Sequence, residues 1–337
     1  MVTSADRRPV VAVLCAEVDI RPPHMEPVEA RAEVRYTDTD GLRAAIEGAE
    51  VLLLWDFFST AVKDVWPYAD DLRWIHVAAA GVEKLLFDGL VDSEVVVTNA
   101  RGVFDRPMAE FVLASILAQV KGLHVNHDQQ AARRWQHRET QSVAGQGALI
   151  VGTGAIGRET ARLLRAVGMQ VRGAGRSARS GDTDFDDVVA SADLADHVGW
   201  ADHVVVAAPL TEQTRGLLDA AVFSAMKPSA HVVNVGRGPI INEGALVTAL
   251  QTGELAAASL DVFCAEPLPD DSPLWSAPGV CVSPHMSGDA VGWLDTLARQ
   301  FVENALRWLN GGDLFNVIDK RLGFVARSQA PRAEEVG

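Results

Sequence analysis

Gly147 to Arg176 reads GALIVGTGAIGRETARLLRAVGMQVRGAGR, and its pattern decides the fold. An apolar run, Ala148 to Val151, enters Gly152-Thr153-Gly154-Ala155-Ile156-Gly157, and an amphipathic stretch follows with Ile156, Ala161, Leu163, Leu164 and Val167 on its apolar side. Strand, tight turn and helix are the elements this periodicity predicts. Gly168 suits the left-handed position that ends helices, and Gln170 to Ala174 reads as a second strand. The unit is βαβ. Gly152 permits the turn, Gly154 lets the backbone approach a pyrophosphate, and Gly157 lets helix and strand pack closely. The helix start, at Ala155 and Ile156, then offers unpaired N–H groups and the positive end of its dipole to an anion. A glycine turn alone is a weak signal, because the same spacing serves a ligand-free βα turn. Inside a βαβ frame it points to a dinucleotide site.

Working outward, the 337 residues are long for one core and suggest two domains. Hydrophobic residues make up 48% and charged ones 22%, as in ordinary globular proteins. The net charge of −15 and the lack of any Lys or Arg run disfavour nucleic acid, whose phosphates need a basic stripe. Cys15, Cys264 and Cys281 lack CxxC spacing and cannot all pair, so neither a disulfide framework nor a zinc site is indicated. The N-terminus, MVTSADRRPVVAVL, has no signal-peptide core, and no apolar stretch is long enough to span a bilayer. The expected location is the cytoplasm, with no membrane partner.

Before the central motif, strands are expected at Val10–Leu14, Val51–Trp55, Trp74–Val77 and Val95–Thr98. Helices are expected at Asp40–Glu47, Thr60–Trp66 and Gly81–Phe87, which makes a first α/β unit. Met108 to Gly122 reads as a buried apolar helix with Pro107 in its first turn. His124 and His127 invite a metal reading, but no carboxylate or cysteine at ligand spacing completes it; a solvated helix face is favoured and no metal is expected. After the motif come strands His203–Ala207, His231–Val235, Ala257–Leu260 and Val280–Val282, with helices near Asp219–Met226 and Asn242–Gln251. This completes a doubly wound sheet. A long helix from Asp289 to Leu309 returns the chain to the first domain, and Ser328 to Gly337 reads as a disordered tail.

Arg237, Glu266 and His285 each stand just after a predicted strand, in Asn234-Val-Gly-Arg-Gly238, Asp261-Val-Phe-Cys-Ala-Glu266 and Ser283-Pro-His285. In open α/β sheets the ligand crevice lies outside the carboxyl ends of the strands, so the three can converge. Beside a nicotinamide such a trio suits reduction of a 2-keto acid. The arginine fork holds the carboxylate, the histidine delivers the proton, and the glutamate favours the imidazolium. Singly, each residue has a plainer use: a surface ion pair for Arg237, a turn cap for Glu266, a satisfied loop histidine for His285. The side-chain pocket is not readable, since Trp55, Phe57, Phe104, Met108, Met286 and Trp293 are equally good core residues.

These segments, with Trp74-Ile-His-Val-Ala-Ala-Ala-Gly81, Val97–Gly102, Val204–Leu217, Met226–Glu243 and Ala257–Pro269, resemble the D-isomer-specific 2-hydroxyacid dehydrogenases over most of the chain. The resemblance implies two Rossmann-like doubly wound domains in an α/β fold, the cofactor domain (102–284) inserted into a discontinuous substrate domain (1–101 and 285–337), with a cleft that closes on the substrate. By the same resemblance Arg237 is the substrate arginine, Glu266 the partner of the histidine, and His285 the acid/base. The backbone of Ala79, Ala80 and Gly81 would bind the substrate carboxylate. Asp261 would bind the nicotinamide amide, and Ala208, Pro209, Thr214, Val235 and Gly288 would line the cofactor. A homodimer through the inserted domain is implied, with Trp135 in the interface stretch. Glyoxylate, hydroxypyruvate or general 2-keto acid reductases fit best. A short phosphoglycerate dehydrogenase and a dinucleotide-responsive corepressor remain alternatives.

NADP(H) is the preferred cofactor, with NAD(H) possible. NAD-type sites carry Asp or Glu at the end of the second strand, about 20 residues beyond the glycines. Here Arg176 and Ser177 follow Gly175, with Arg179 close by, and a guanidinium and hydroxyl welcome a 2′-phosphate. The alternative is a solvated loop whose arginines pair with Asp182, Asp184 or Asp186.

Overall fold

The computed structural model describes residues 8–325. The first residues of the N-terminal stretch, and the Ser328–Gly337 tail expected to be disordered, lie outside the described residues. The chain forms two compact units: one ends at Val103 and resumes at Val291, and the other, Phe104–Ala290, is inserted into it.

The discontinuous unit carries β1 (Val10–Leu14), β2 (Glu33–Thr37), β3 (Val51–Leu54), β4 (Trp74–Val77) and β5 (Val96–Asn99). All pair in parallel, in the order β2-β1-β3-β4-β5. Val10, Ala12, Leu14, Leu52, Leu54, Ile75 and Val77 meet Leu42, Ile46, Val62 and Leu90 on one face. On the other, Trp74 and His76 lie against Phe301 of helix Trp293–Leu309, with ring centroids 5.6 and 5.5 Å apart.

The inserted unit carries β6 (Gly147–Val151), β7 (Gln170–Gly175), β8 (Val188–Ala190), β9 (His203–Val206), β10 (His231–Asn234), β11 (Ala257–Leu260) and β12 (Val280–Val282). Their order, β12-β11-β10-β9-β6-β7-β8, reverses direction between β6 and β9, and every pairing is parallel. Alternate residues serve opposite faces. Ala148, Ile150, Val171, Val205 and Val233 pack with Val112, Ile116 and Val120 of helix Asp105–Lys121 and with Ala161 and Leu164. Leu149, Val151, Val204, Val206, Val232 and Leu260 pack with Val222, Phe223, Leu246 and Leu250. A parallel sheet covered on both faces explains why these strands read as continuous apolar runs.

Three local expectations need correction. Gly81–Phe87 is not a helix: Leu85 and Leu86 N–H both bond only to Val82 O, and Phe87 is extended before the short helix Asp88–Val91. β2 and β8 were not expected. β2 is an edge strand reading EVRYT, mostly half-buried, and β8 has only three residues. Among the described residues, no single helix is long and apolar enough to cross a membrane.

At the amino ends of β9 and β10 the parallel register sets His203 directly beside His231, and both are buried. One tautomer chain satisfies both rings. His203 Nε2–H donates to Gln146 Oε1 at 2.8 Å, the two Nδ1 atoms lie 3.3 Å apart, and Ser259 Oγ–H donates to His231 Nε2 at 2.9 Å. Only neutral imidazoles allow it. Burial lowers His203 to about 4, with Asp202 opposing and Lys227 assisting, and lowers His231 to about 3, assisted by His203. The unfolded chain therefore takes up these protons first as pH falls below about 6.5, so the stability they contribute is complete above that value and lost toward pH 4. Guanidinium denaturation at pH 7.5 and pH 5 should show the midpoint falling with acid, and falling less in His231→Gln. Equal falls in both chains would contradict the assignment.

Candidate active site

Helix Ala155–Ala166 starts directly from the turn after β6, with Gly154 extended at its N-cap and no side chain capping it. Gly152 has φ +106°, and a Cβ there would stand 2.6 Å from the Ala207 carbonyl and the Ala208 nitrogen. A Cβ on Gly157 would stand 1.9 Å from Gly152 O. Neither position tolerates a side chain. A Cβ on Gly154, by contrast, would meet no atom within 4 Å. The turn is closed behind and open in front, where the first helical N–H groups, at Ala155 and Ile156, face outward. A pyrophosphate fits this cradle.

β7 ends at Gly175, with exposed Arg176 and Ser177 just beyond. Arg179 turns back and bonds to Val188 through both backbone groups, at 2.8 and 3.1 Å. Its guanidinium pairs with Asp182 at 3.1 Å, as the solvated-loop alternative anticipated for this loop. The remaining carboxylates are taken by helix arginines: Asp184 by Arg158 and Arg162, and Asp186 by Arg165. The Arg158 guanidinium beside Asp182, outweighing its burial, holds that carboxyl well below the usual range.

The loops after the other strands are tightly tied. Thr214 Oγ1 donates to Pro209 O at 2.8 Å and accepts from Thr211 N at 2.8 Å, so its hydroxyl shapes the loop that begins at Ala208. Val235 is buried at the end of β10. Asn234 clamps the following turn from both sides: Oδ1 accepts from Gly236 N at 3.0 Å, and Nδ2 donates to Arg237 O at 3.2 Å. A Cβ on Gly288 would stand 2.8 Å from Phe104. Asp261 is fully buried at the end of β11. It accepts from the Ser283 hydroxyl and, at 2.9 Å each, from Met286 N and Ser287 N, so it fixes the segment on either side of His285.

His285 holds the left-handed conformation, φ +54°, uncommon for a residue with a Cβ. Its Nδ1 donates to Glu266 Oε2 at 2.7 Å, which directs Nε2 to the other side of the ring. Glu266 Oε1 accepts from Phe263 N at 2.9 Å. Burial pushes Glu266 up, but the bonds from His285 and Phe263 and the charge of Arg237 outweigh it, leaving the carboxyl below its ordinary value. Arg237 Nη1 donates to Gly236 O at 2.8 Å. All three of these residues lie in the inserted unit.

In the discontinuous unit, Ala79, Ala80 and Gly81 follow β4. Asn99 Nδ2 donates to Ala80 O at 2.6 Å, and Ala79 O accepts from Ala100 N at 2.9 Å, so their carbonyls are pinned. The anchors Asn99, Asn234 and Ser283 escaped the sequence reading; an Asn at a strand end or a Ser before the histidine is the signal available. His124 and His127 are exposed on helix Leu123–Ala131, and no group of three or more potential metal ligands is gathered among the described residues.

Residues 113–287 match the family described as D-isomer specific 2-hydroxyacid dehydrogenase, NAD binding domain. The chain belongs to that family and is an NAD(P)-dependent oxidoreductase. It is 33% identical over 220 residues to the (S)-sulfolactate dehydrogenase of Chromohalobacter salexigens, covering 65% of this chain and 71% of that one. A D-isomer specific 2-hydroxyacid dehydrogenase family protein from Aeromonas salmonicida superposes with TM-score 0.78 at 34% identity, over 93% of this chain and 99% of that one. The NADPH-dependent glyoxylate/hydroxypyruvate reductase of Sinorhizobium meliloti, solved with NADP and sulfate, superposes with TM-score 0.77 at 26% identity, over 94% and 100%.

The Glu266–His285 bond generates a test. Glu266→Gln keeps the shape but replaces the carboxylate that accepts from Nδ1 with an amide, so the ring loses a charge-assisted anchor. Turnover by this variant should fall by about tenfold or more with cofactor affinity unchanged. Wild-type turnover would show that the bond does not position the histidine.

Proposed function

We propose that the chain reduces a small 2-keto acid of the glyoxylate or hydroxypyruvate type to the D-2-hydroxy acid with NADPH. The observation that carries the reading is the 2.7 Å bond between Glu266 and His285, with Arg237 close enough for its charge to act on the same carboxylate. The turn at Gly152–Gly157 would hold the dinucleotide by its pyrophosphate, and the reduced nicotinamide would supply the hydride that a keto carbon needs. His285 Nε2 gives the proton that the keto oxygen then needs, and Glu266 holds the ring so that Nδ1 cannot compete. Arg237 binds the substrate's carboxylate and keto oxygen with its fork. The N–H groups of Ala79, Ala80 and Gly81 are further carboxylate donors in this reading; the carbonyls of Ala79 and Ala80 are already taken by Ala100 N and Asn99 Nδ2. Asp261 holds the carboxamide as well as the loop, while Ala208, Pro209, Thr214, Val235 and Gly288 line the dinucleotide.

The NADPH preference is supported by Gly175, which leaves no acidic side chain at the end of β7, and by Arg176 and Ser177 just after it. The bound NADP of the Sinorhizobium reductase agrees with it. A homodimer and a cytoplasmic location belong to the same proposal. For the dimer, fully exposed Trp135 and half-exposed Leu123 supply an apolar surface in the inserted unit.

Steady-state assays with glyoxylate and hydroxypyruvate test the reading. Turnover should be faster, per unit KM, with NADPH than with NADH, and Arg176→Ala should narrow the gap by weakening NADPH use alone. His285→Ala should lose about 10²–10⁴-fold in turnover while still binding cofactor. Arg237→Lys should raise the KM for keto acid strongly. A wild-type preference for NADH, or near-normal turnover by His285→Ala where chemistry limits the rate, would overturn the corresponding part.

A further inference from the structure

The guanidinium of Arg179 is held by one edge. Its Nε and Nη2 donate to Asp182 Oδ2 at 3.2 and 3.1 Å. Nη1 has no acceptor among the described residues, and it lies 3.4 Å from where a Cβ on Gly175 would stand. The edge that Asp182 does not use therefore sits at the carboxyl end of β7, next to Arg176 and Ser177. Asp182 itself cannot swing: its side chain is 4% exposed. Oδ1 accepts from Arg158 Nη1 at 2.8 Å and from Asp184 N at 3.1 Å, and Oδ2 also accepts from Arg158 Nη2 at 2.7 Å. Arg158 is in turn part of the helix that begins in the glycine turn, so one buried carboxylate ties the Arg179 loop to that helix. In the same cluster Arg162 pairs with both Asp184 and Glu159, so the carboxylates other than Asp182 are engaged on the helix rather than at the Nη1 edge of Arg179.

An arginine paired to an aspartate is ordinarily read as neutralised. The planar fork permits a different outcome, since one edge can be fixed by a carboxylate while another remains aimed at an anion. We infer that Asp182 is a positioning residue for cofactor selection: by gripping Nε and Nη2 it presents the Nη1 edge of Arg179 to the 2′-phosphate on the adenosine ribose. The inference rests on the NADPH reading above. It assigns Asp182 the opposite effect from the one its charge alone would have, because an unconstrained carboxylate here would repel phosphate.

Calorimetric titration with 2′,5′-ADP and 5′-AMP measures the 2′-phosphate increment without turnover. The wild type should bind 2′,5′-ADP more tightly than 5′-AMP. Asp182→Asn should reduce that ratio by about tenfold, the scale of one charge-assisted hydrogen bond, with 5′-AMP affinity nearly unchanged. In an Arg179→Met background the same change should have no further effect on the ratio, because Asp182 acts through Arg179. Should Asp182→Asn fail to fold, Asp182→Glu keeps the charge and changes only its reach; a reduced ratio supports the inference and an unchanged one refutes it. An unaltered ratio in Asp182→Asn, a rise in 2′,5′-ADP affinity, or equal loss for both ligands would overturn it. A wild type that binds both ligands equally would instead refute the NADPH reading beneath it.

Discussion

Backbone touches backbone along the carboxyl edge of the larger sheet, and the candidate site depends on that contact. Gly157 presses on Gly152, and Gly152 on Ala207 and Ala208. A Cβ on Gly236 would come within 2.8 Å of Ala208 O, and one on Gly238 within 1.9 Å of the Phe263 carbonyl carbon. The loops after β6, β9, β10 and β11 are thus locked in series, from the cofactor turn to the segment that supplies Glu266. Any side chain at Gly238 would wedge apart the loops carrying Arg237 and Glu266. That is a steric constraint on the candidate site, imposed at positions that have no side chain.

Charge completes what the glycines begin. The buried carboxylate of Asp261 accepts from the backbone of Met286 and Ser287 and from Ser283, so the loop around His285 is fixed by a group that the family resemblance assigned to the cofactor. Glu266 likewise divides its oxygens between its own loop and the histidine ring. Asp261 is a fully buried carboxylate stabilised by several donors, and the loop conformation is what satisfies it. The left-handed backbone of His285 persists because the segment is pinned on both sides.

The central strands and the glycine turn were legible because a parallel sheet buried on both faces writes apolar runs, and a tight turn writes glycine. Arg237, Glu266 and His285 stood out because each lies in the loop that follows such a run, and the fold brings Glu266 and His285 within hydrogen-bond distance. The edge strands were not: EVRYT carries too many polar groups to stand out, and Val188–Ala190 is too short to show a period. Gly81–Phe87 misled because its apolar spacing suits a helix, while the chain there makes single turns that bring Val82 and Leu85 into the core. Pairings that depend on register or on distant loops left no local trace. His203 and His231 are merely two strand-leading histidines in the sequence, and nothing near Arg158 announces that it will share Asp182 with Arg179.

On the proposed function, this arrangement directs a hydride to one face of a keto carbon and a proton to its oxygen. The most direct test is isotopic. Hydroxypyruvate incubated with the enzyme and NADPH deuterated at nicotinamide C4, on each face in turn, should give D-glycerate with deuterium at C2 from one labelled face only. Label from both faces, L-glycerate, or glycerate without deuterium in either experiment would contradict the account.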